Sequence, residues 1–172
     1  MTRSVLAMMQ AAATLAAIIV GIMLSAKDGT VRADAPAALL VMAEVIKIIS
    51  AIILFRLIGT SREPSPLLRR AGVVGAILLF VAGAAGLLAV TEASPPNWAR
   101  MITPLALASV ILTAIWAAAL CRAIGARALQ WIAIIVTLAA AVALYAPPVG
   151  MIAGLGGLLL WAGIGRALRS AV

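Results

Sequence analysis

Six long runs of apolar residues follow one another along the chain, separated by short segments that contain charged residues, serine or proline. The runs cover about 4–25, 37–56, 71–90, 102–120, 128–146 and 149–165. A helix needs about 20 residues to cross the hydrocarbon core of a bilayer, and the runs are close to that length. The pattern therefore predicts an all-α, polytopic transmembrane helix bundle with about six spanning helices, in a single transmembrane domain over residues 1–172.

The composition excludes two other classes of protein. Hydrophobic residues make up 66% of the chain and charged residues only 10%, whereas about 25% of the residues in a soluble domain are charged. This leaves too few polar groups for a water-facing surface and too many apolar ones for a disordered tail. We interpret the first run as a retained span, because it is longer than the apolar region of about 7–15 residues in a signal peptide.

Positive charge predicts the orientation in the membrane. One side of the predicted bundle receives nine basic residues: Arg3, Arg56, Arg62, Arg69, Arg70, Arg122, Arg127, Arg166 and Arg169. The other side receives Lys27, Arg32 and Arg100. The positive-inside rule then predicts that both termini are cytoplasmic, in a bacterial-type inner membrane. No nucleic-acid partner is expected, because the basic segments lack interleaved aromatic residues.

The aromatic residues and the scarcity of metal-binding and catalytic side chains narrow the possible functions further. Trp116, Trp131 and Trp161 lie toward the predicted cytoplasmic side and Trp98 and Tyr145 toward the opposite side, positions typical of interfacial anchors. Histidine is absent and cysteine occurs once, at position 121, so an internal disulfide is excluded and the usual metal ligands are missing. We expect no metal, no cofactor and no enzymatic activity, since no nucleophile is paired with a base.

Small residues indicate which helices pack closely. Glycines are concentrated in the third predicted helix, at 72, 75, 83 and 86, and in the sixth, at 150, 154, 156, 157, 163 and 165. Close packing is expected there, with an interface for a homo-oligomer or another membrane protein.

Two other helices carry a weakly polar face that either packs against a neighbouring helix or lines a cavity. These faces comprise Gln10, Thr14, Ala17, Gly21 and Ser25 in the first helix and Ser109, Thr113 and Trp116 in the fourth.

Glu44 and Lys47 lie inside the second predicted helix, with the lysine close to the membrane midplane. A charge there costs about 2.5–3.5 kcal/mol on insertion scales. Residues three apart are neighbours on a helix, so the two can form an ion pair facing the bundle interior. Either the pair is structural, bonded to Gln10 or Ser109, or Lys47 binds an anion while Glu44 is its counter-charge or a proton-coupled carboxylate. The candidate substrate-binding residues are Glu44, Lys47, Gln10, Ser109 and Thr113.

The segment Ala43-Glu44-Val45-Ile46-Lys47-Ile48-Ile49-Ser50 resembles the second helix of the nucleotide-sugar transporters of the drug/metabolite transporter superfamily, which carries Glu-x-x-Lys in an apolar context. The opening of the fifth helix, Leu129-Gln130-Trp131, is similar too. The resemblance implies a transporter-like bundle in which Lys47 faces the substrate path and meets a phosphate or another anion. The chain corresponds to one five-helix half of that family plus an extra helix.

The sequence leaves two functions possible. One is a transporter that moves a small anionic or amphiphilic solute past the charged pair, in which case cysteines at Leu40, Ala43 or Ala51 would react with polar thiol reagents. The other is a non-catalytic integral membrane subunit of a larger complex.

Overall fold

The computed structural model of the chain describes residues 2–25, 35–61, 65–91, 100–143 and 145–170. Within these ranges the chain forms six α-helices: α1 (Arg3–Leu24), α2 (Ala37–Thr60), α3 (Pro66–Thr91), α4 (Ile102–Ala123), α5 (Arg127–Ala143) and α6 (Gly150–Ser170). A 3₁₀ turn over Pro147–Val149 precedes α6. The prediction of an all-α, polytopic membrane bundle is confirmed.

The helix boundaries differ from the predicted ones mainly at the helix ends. α2 continues to Thr60 rather than 56, α3 begins at Pro66 rather than 71, and α6 continues to Ser170 rather than 165. An apolar run marks only the part of a helix that lies in lipid, whereas helical hydrogen bonds continue past it. Proline suits the first position of α3 because the N–H missing there has no partner within the helix. α5 ends at Ala143 rather than 146, shortly before Pro147, and proline disfavours helical geometry in the residue before it.

Five of the described helices are long and apolar enough to cross a membrane. α5 has 17 residues and a length of about 25 Å, slightly less than the hydrocarbon core of about 30 Å. Large apolar side chains such as Leu88, Leu138 and Leu159 are exposed on the outside of the bundle, as a lipid-facing surface requires. The chain is a multi-spanning membrane protein.

The helices form a ring in which each packs against its neighbours in sequence, and α1 closes the ring against α6. α1 and α6 are antiparallel, since Met8 lies opposite Gly165 and Ile18 opposite Gly154. The start of α1 and the end of α6 therefore share one end of the bundle, which we call the arginine end. It holds the described residues Arg3, Arg56, Arg69, Arg70, Arg122, Arg127, Arg166 and Arg169. Arg100 lies at the opposite end, while Lys27, Arg32, Arg62 and Trp98 lie outside the described residues.

The glycines of α3 and α6 make close approaches within the chain, which confirms the predicted close packing. A Cβ atom added to Gly72 would lie 2.8 Å from Cγ of Trp116 in α4, and one added to Gly83 would lie 3.0 Å from the Glu44 carbonyl oxygen in α2. In α6, Gly156 faces α5 and Gly165 faces α1. These faces are therefore occupied by helices of the same chain. An assembly through them stays a prediction.

The hydrophobic core lies in the half of the bundle nearer the arginine end. It contains the first turns of α1, the last turns of α2, α4 and α6, and Ala133 near the start of α5. Its largest fully buried side chains are Trp116, Leu54, Leu57, Ile58, Leu120, Leu160 and Ile164. This half of the ring is filled by large side chains.

Candidate solute-binding site

Glu44 and Lys47 form the predicted ion pair near the middle of α2. The Lys47 Nζ atom lies 2.7 Å from Glu44 Oε1 and 2.8 Å from Oε2, so it donates to both carboxylate oxygens. The Lys47 side chain is 26% exposed and that of Glu44 13%. Each charge within the apolar span thus has a partner of opposite sign, as its location requires.

Two glycines of α3 make room for Glu44. A methyl group at Gly86 would overlap the Glu44 carboxyl group, and at Gly83 the backbones of α2 and α3 come close together. Because glycine has no side chain, the carboxylate fits between the two helices instead of projecting into lipid. This contact fixes the acid of the pair between α2 and α3.

Lys47 lies on the wall of a cavity with a volume of about 580 Å³. The walls come mainly from α1, α2, α4 and α6 and are mostly apolar. Leu54, Leu160 and Trp161 mark its deep end next to the hydrophobic core, and Ser25 and Gly150 mark its reach toward the opposite end of the bundle. The volume is within the range of about 300–1,000 Å³ that is usual for ligand pockets.

Four of the five candidate residues lie on this one cavity. Gln10, Lys47, Ser109 and Thr113 line it, whereas Glu44 does not belong to the lining and packs against α3. Four separate helical positions on α1, α2 and α4 are thus brought together by the ring. Whether they bind a substrate stays a prediction.

The hydroxyl groups of the wall are held mostly by their own helices. Thr14 donates to the carbonyl oxygen of Gln10 at 2.9 Å, and Thr113 donates to that of Ser109 at 2.8 Å. The predicted bond from the ion pair to Gln10 or Ser109 is not formed among the described residues.

Gln10 differs from its neighbours because its side-chain oxygen Oε1 is buried without a hydrogen-bond partner. The residue is only 5% exposed. A buried polar group without a partner costs about 1–3 kcal/mol. Because this oxygen has almost no accessible surface, the side-chain amide must turn toward the cavity before a donor of a bound molecule can remove the cost.

Sequence reasoning did not place Ser50 or Gly157 on the wall of a cavity. Ser50 lies three positions after Lys47 on the same face of α2, and Gly157 of α6 lies close to Thr14. The signal for Ser50 was its helical spacing from the lysine. Leu40, Ala43 and Ala51 do not belong to the lining, and Ala51 is fully buried. The reactivity of cysteines at these three positions stays a prediction.

The prediction that Trp116 and Trp161 are interfacial anchors was wrong. Both are buried, and their rings stack with centroids 6.4 Å apart and planes at 29°. The two rings join α4 to α6 across the interior of the ring. Trp131, 66% exposed, and Tyr145, 91% exposed, keep positions suited to an interface.

The comparison with protein-family models gave no match, and neither did the comparisons with curated proteins and with solved structures. The resemblance of the segment around Glu44 and Lys47 to nucleotide-sugar transporters therefore stays a prediction.

Proposed function

We propose that this protein is a transporter that binds a small anionic or amphiphilic solute in the cavity beside Lys47. The observation that supports it best is a partly open cavity of about 580 Å³ inside a membrane bundle, whose wall includes the intramembrane Lys47 and also Gln10, the residue with the unpartnered side-chain oxygen. We further propose that the arginine end faces the cytoplasm of a bacterial-type cell.

The lining indicates the chemistry of the solute. An ammonium group has three N–H donors and the Glu44 carboxylate engages Lys47 through two oxygens, so at least one donor is left for an anionic or other acceptor group. Gln10 lies on the wall and can offer an acceptor to a hydroxyl or amine group of the solute once its side-chain amide turns toward the cavity. The rest of the wall is mostly aliphatic, which favours an apolar body. An amphiphile that carries both an acceptor and a donor satisfies all three features.

One half of the bundle is open and the other is filled, as we expect for a carrier in one of its conformational states. The cavity reaches toward the end opposite the arginine end, while the hydrophobic core blocks the arginine end. In alternating access, a carrier exposes its site to one side while the other side is closed. On this proposal, solute enters from the side opposite the cytoplasm.

Thiol labelling on α1 tests whether the cavity is open to water. We expect Thr14→Cys, on the cavity wall, to react with a charged, membrane-impermeant thiol reagent. Two neighbours are matched controls: Ala11→Cys in the core and Leu15→Cys on the lipid-facing surface should both stay unreacted. The native Cys121 is fully buried and gives little background. Protection of Thr14→Cys would contradict the proposal.

Ligand preference tests the role of the lysine. Octanoate, octanol and octylamine share an apolar chain and differ in charge, so they separate charge from apolar burial. We expect octanoate to raise the melting temperature most, and the double variant Glu44→Ala/Lys47→Ala, which leaves no lone charge, to lose this preference. Equal stabilisation by all three compounds in the unmodified protein would mean that the ion pair has only a structural role.

A second function is that of a membrane subunit of a larger complex. It is favoured by the ion pair, because each of the two charges already has a partner without a bound ligand. Gentle solubilisation followed by mass spectrometry separates the two functions. A particle that contains this chain alone, as a monomer or homo-oligomer, supports the transporter, whereas a stoichiometric second protein supports the subunit.

A further inference from the structure

A second depression lies on the outside of the bundle at the arginine end, apart from the cavity beside Lys47. Its volume is about 550 Å³. It is lined by Ile115, Ala118, Ala119, Arg122 and Ala123 of α4, Leu68 of α3 and Gln130 of α5. We call it the α4 groove.

Side-chain size explains why a groove forms here. The α4 residues of the lining recur at intervals of three and four, so they share one face of the helix. That face points away from the bundle, since Thr113, Trp116 and Leu120 on the other face are buried. Three of the lining residues are alanines, whose short side chains leave space between the beginnings of α3 and α5.

The groove has one charged end and one apolar end. Arg122 is the second-last residue of α4 and is exposed. Its side chain forms no hydrogen bond or ion pair with the part of the chain that the structure describes. From Arg122 to Ile115 the groove runs about 10 Å along the helix, toward the hydrocarbon core of the bilayer.

The surroundings of Arg122 favour a negatively charged occupant. All the charged residues described at the arginine end are arginines, and the one described acid, Glu44, lies on α2 beside the cavity. Gln130 adds an amide group that can donate to an anion. Basic pockets between helices at the cytoplasmic surface are suited to anionic lipid headgroups.

We infer that the α4 groove binds one anionic phospholipid. Its phosphate accepts hydrogen bonds from Arg122 and Gln130, and one acyl chain lies along Leu68, Ile115 and the alanines. Phosphate geometry fits the planar guanidinium, which donates two parallel hydrogen bonds. The inference is independent of the proposed transport function, since none of its residues lines the cavity.

Native mass spectrometry of the whole chain, released from nanodiscs of phosphatidylglycerol and phosphatidylcholine in equal amounts, tests the inference. We expect one phosphatidylglycerol to be retained in preference to phosphatidylcholine. Arg122→Gln should weaken this preference about fivefold, the loss expected for one arginine at an anionic surface. The matched control is Arg166→Gln, which removes an exposed arginine at the same end of the bundle outside the groove and should change the preference less than twofold.

A second variant and a competitor test the two parts of the groove. Ala119→Leu fills the apolar part and should reduce retention although every arginine is kept. Excess inorganic phosphate should not displace the lipid, because it lacks the acyl chain. The inference fails if Arg166→Gln acts as strongly as Arg122→Gln, if Ala119→Leu leaves retention unchanged, or if phosphate alone displaces the lipid.

Discussion

The two halves of the bundle are built from the same helices but are filled in opposite ways. Toward the arginine end, Trp116 and Leu120 of α4 belong to one core together with Leu160 and Ile164 of α6. Toward the other end, the same two helices present small and polar residues such as Ser109 and Gly157, and a cavity of about 580 Å³ lies between them. On α4 the change takes a single turn, from Thr113 to Trp116.

This difference shows that side-chain size along each helix is enough to explain the cavity. In lipid, helices gain little from the hydrophobic effect between them and depend on close packing. The filled half can therefore supply most of the stability, while the open half keeps polar groups that packing alone does not require. Mutations in the two halves should consequently have different effects.

Removing the largest core side chain should have the greatest effect on stability. Trp116→Ala leaves a void next to Trp161 and Gly72, and we expect it to lower the free energy of unfolding by about 3–5 kcal/mol. Denaturant titration in mixed micelles measures this loss. Trp131→Ala, at an exposed site on α5, should cost less than about 1 kcal/mol. Similar losses for the two variants would mean that the filled half is not the main source of stability.

Breaking the ion pair should have the next largest effect on stability, measured as the difference between a single and a double variant. Lys47→Ala leaves the Glu44 carboxylate without a partner between α2 and α3, whereas Glu44→Ala/Lys47→Ala removes both charges. We expect the single variant to be about 2 kcal/mol less stable than the double variant, because an isolated charge in the span costs more than none. The same titration checks this order. A double variant less stable than the single one would contradict it.

The smallest expected effect concerns the fit of Glu44 against α3. Gly86→Ala adds a methyl group that overlaps the carboxyl group, and we expect a loss of about 1–2 kcal/mol from overpacking. Gly59→Ala is the matched control, because no other atom lies within 4 Å of an added Cβ there. Its stability should stay unchanged or rise by up to about 1 kcal/mol through helix propensity. If both alanines are equally tolerated, Gly86 does not hold the carboxylate in place.

Much of the candidate site could be predicted from the sequence because membrane helices make polar residues conspicuous. Glu44 and Lys47 stood out against an apolar span, and their spacing alone predicted the ion pair. Gln10, Ser109 and Thr113 were named as candidates because they were polar and helically spaced. That they share one cavity with Lys47, and that Glu44 lies outside it, depends on how the helices are rotated in the ring, which apolar periodicity does not specify when every face is apolar.

The tryptophans show the same limit. Position near a helix end predicted an interfacial anchor for Trp116, Trp131 and Trp161 alike, yet only Trp131 is exposed. Depth in the membrane follows from sequence distance to a helix end, but the direction in which a side chain points is set by the neighbouring helices.

The sequence by itself determined the environment, the helical class and the place of the buried charges, because each follows from the cost of exposing polar groups to lipid. The tertiary structure alone decided that α1 closes the ring on α6, that glycines of α3 receive Glu44, and that one half is filled while the other is open. These features depend on which side chains of distant segments meet, and that choice is made by shape and packing rather than by hydropathy.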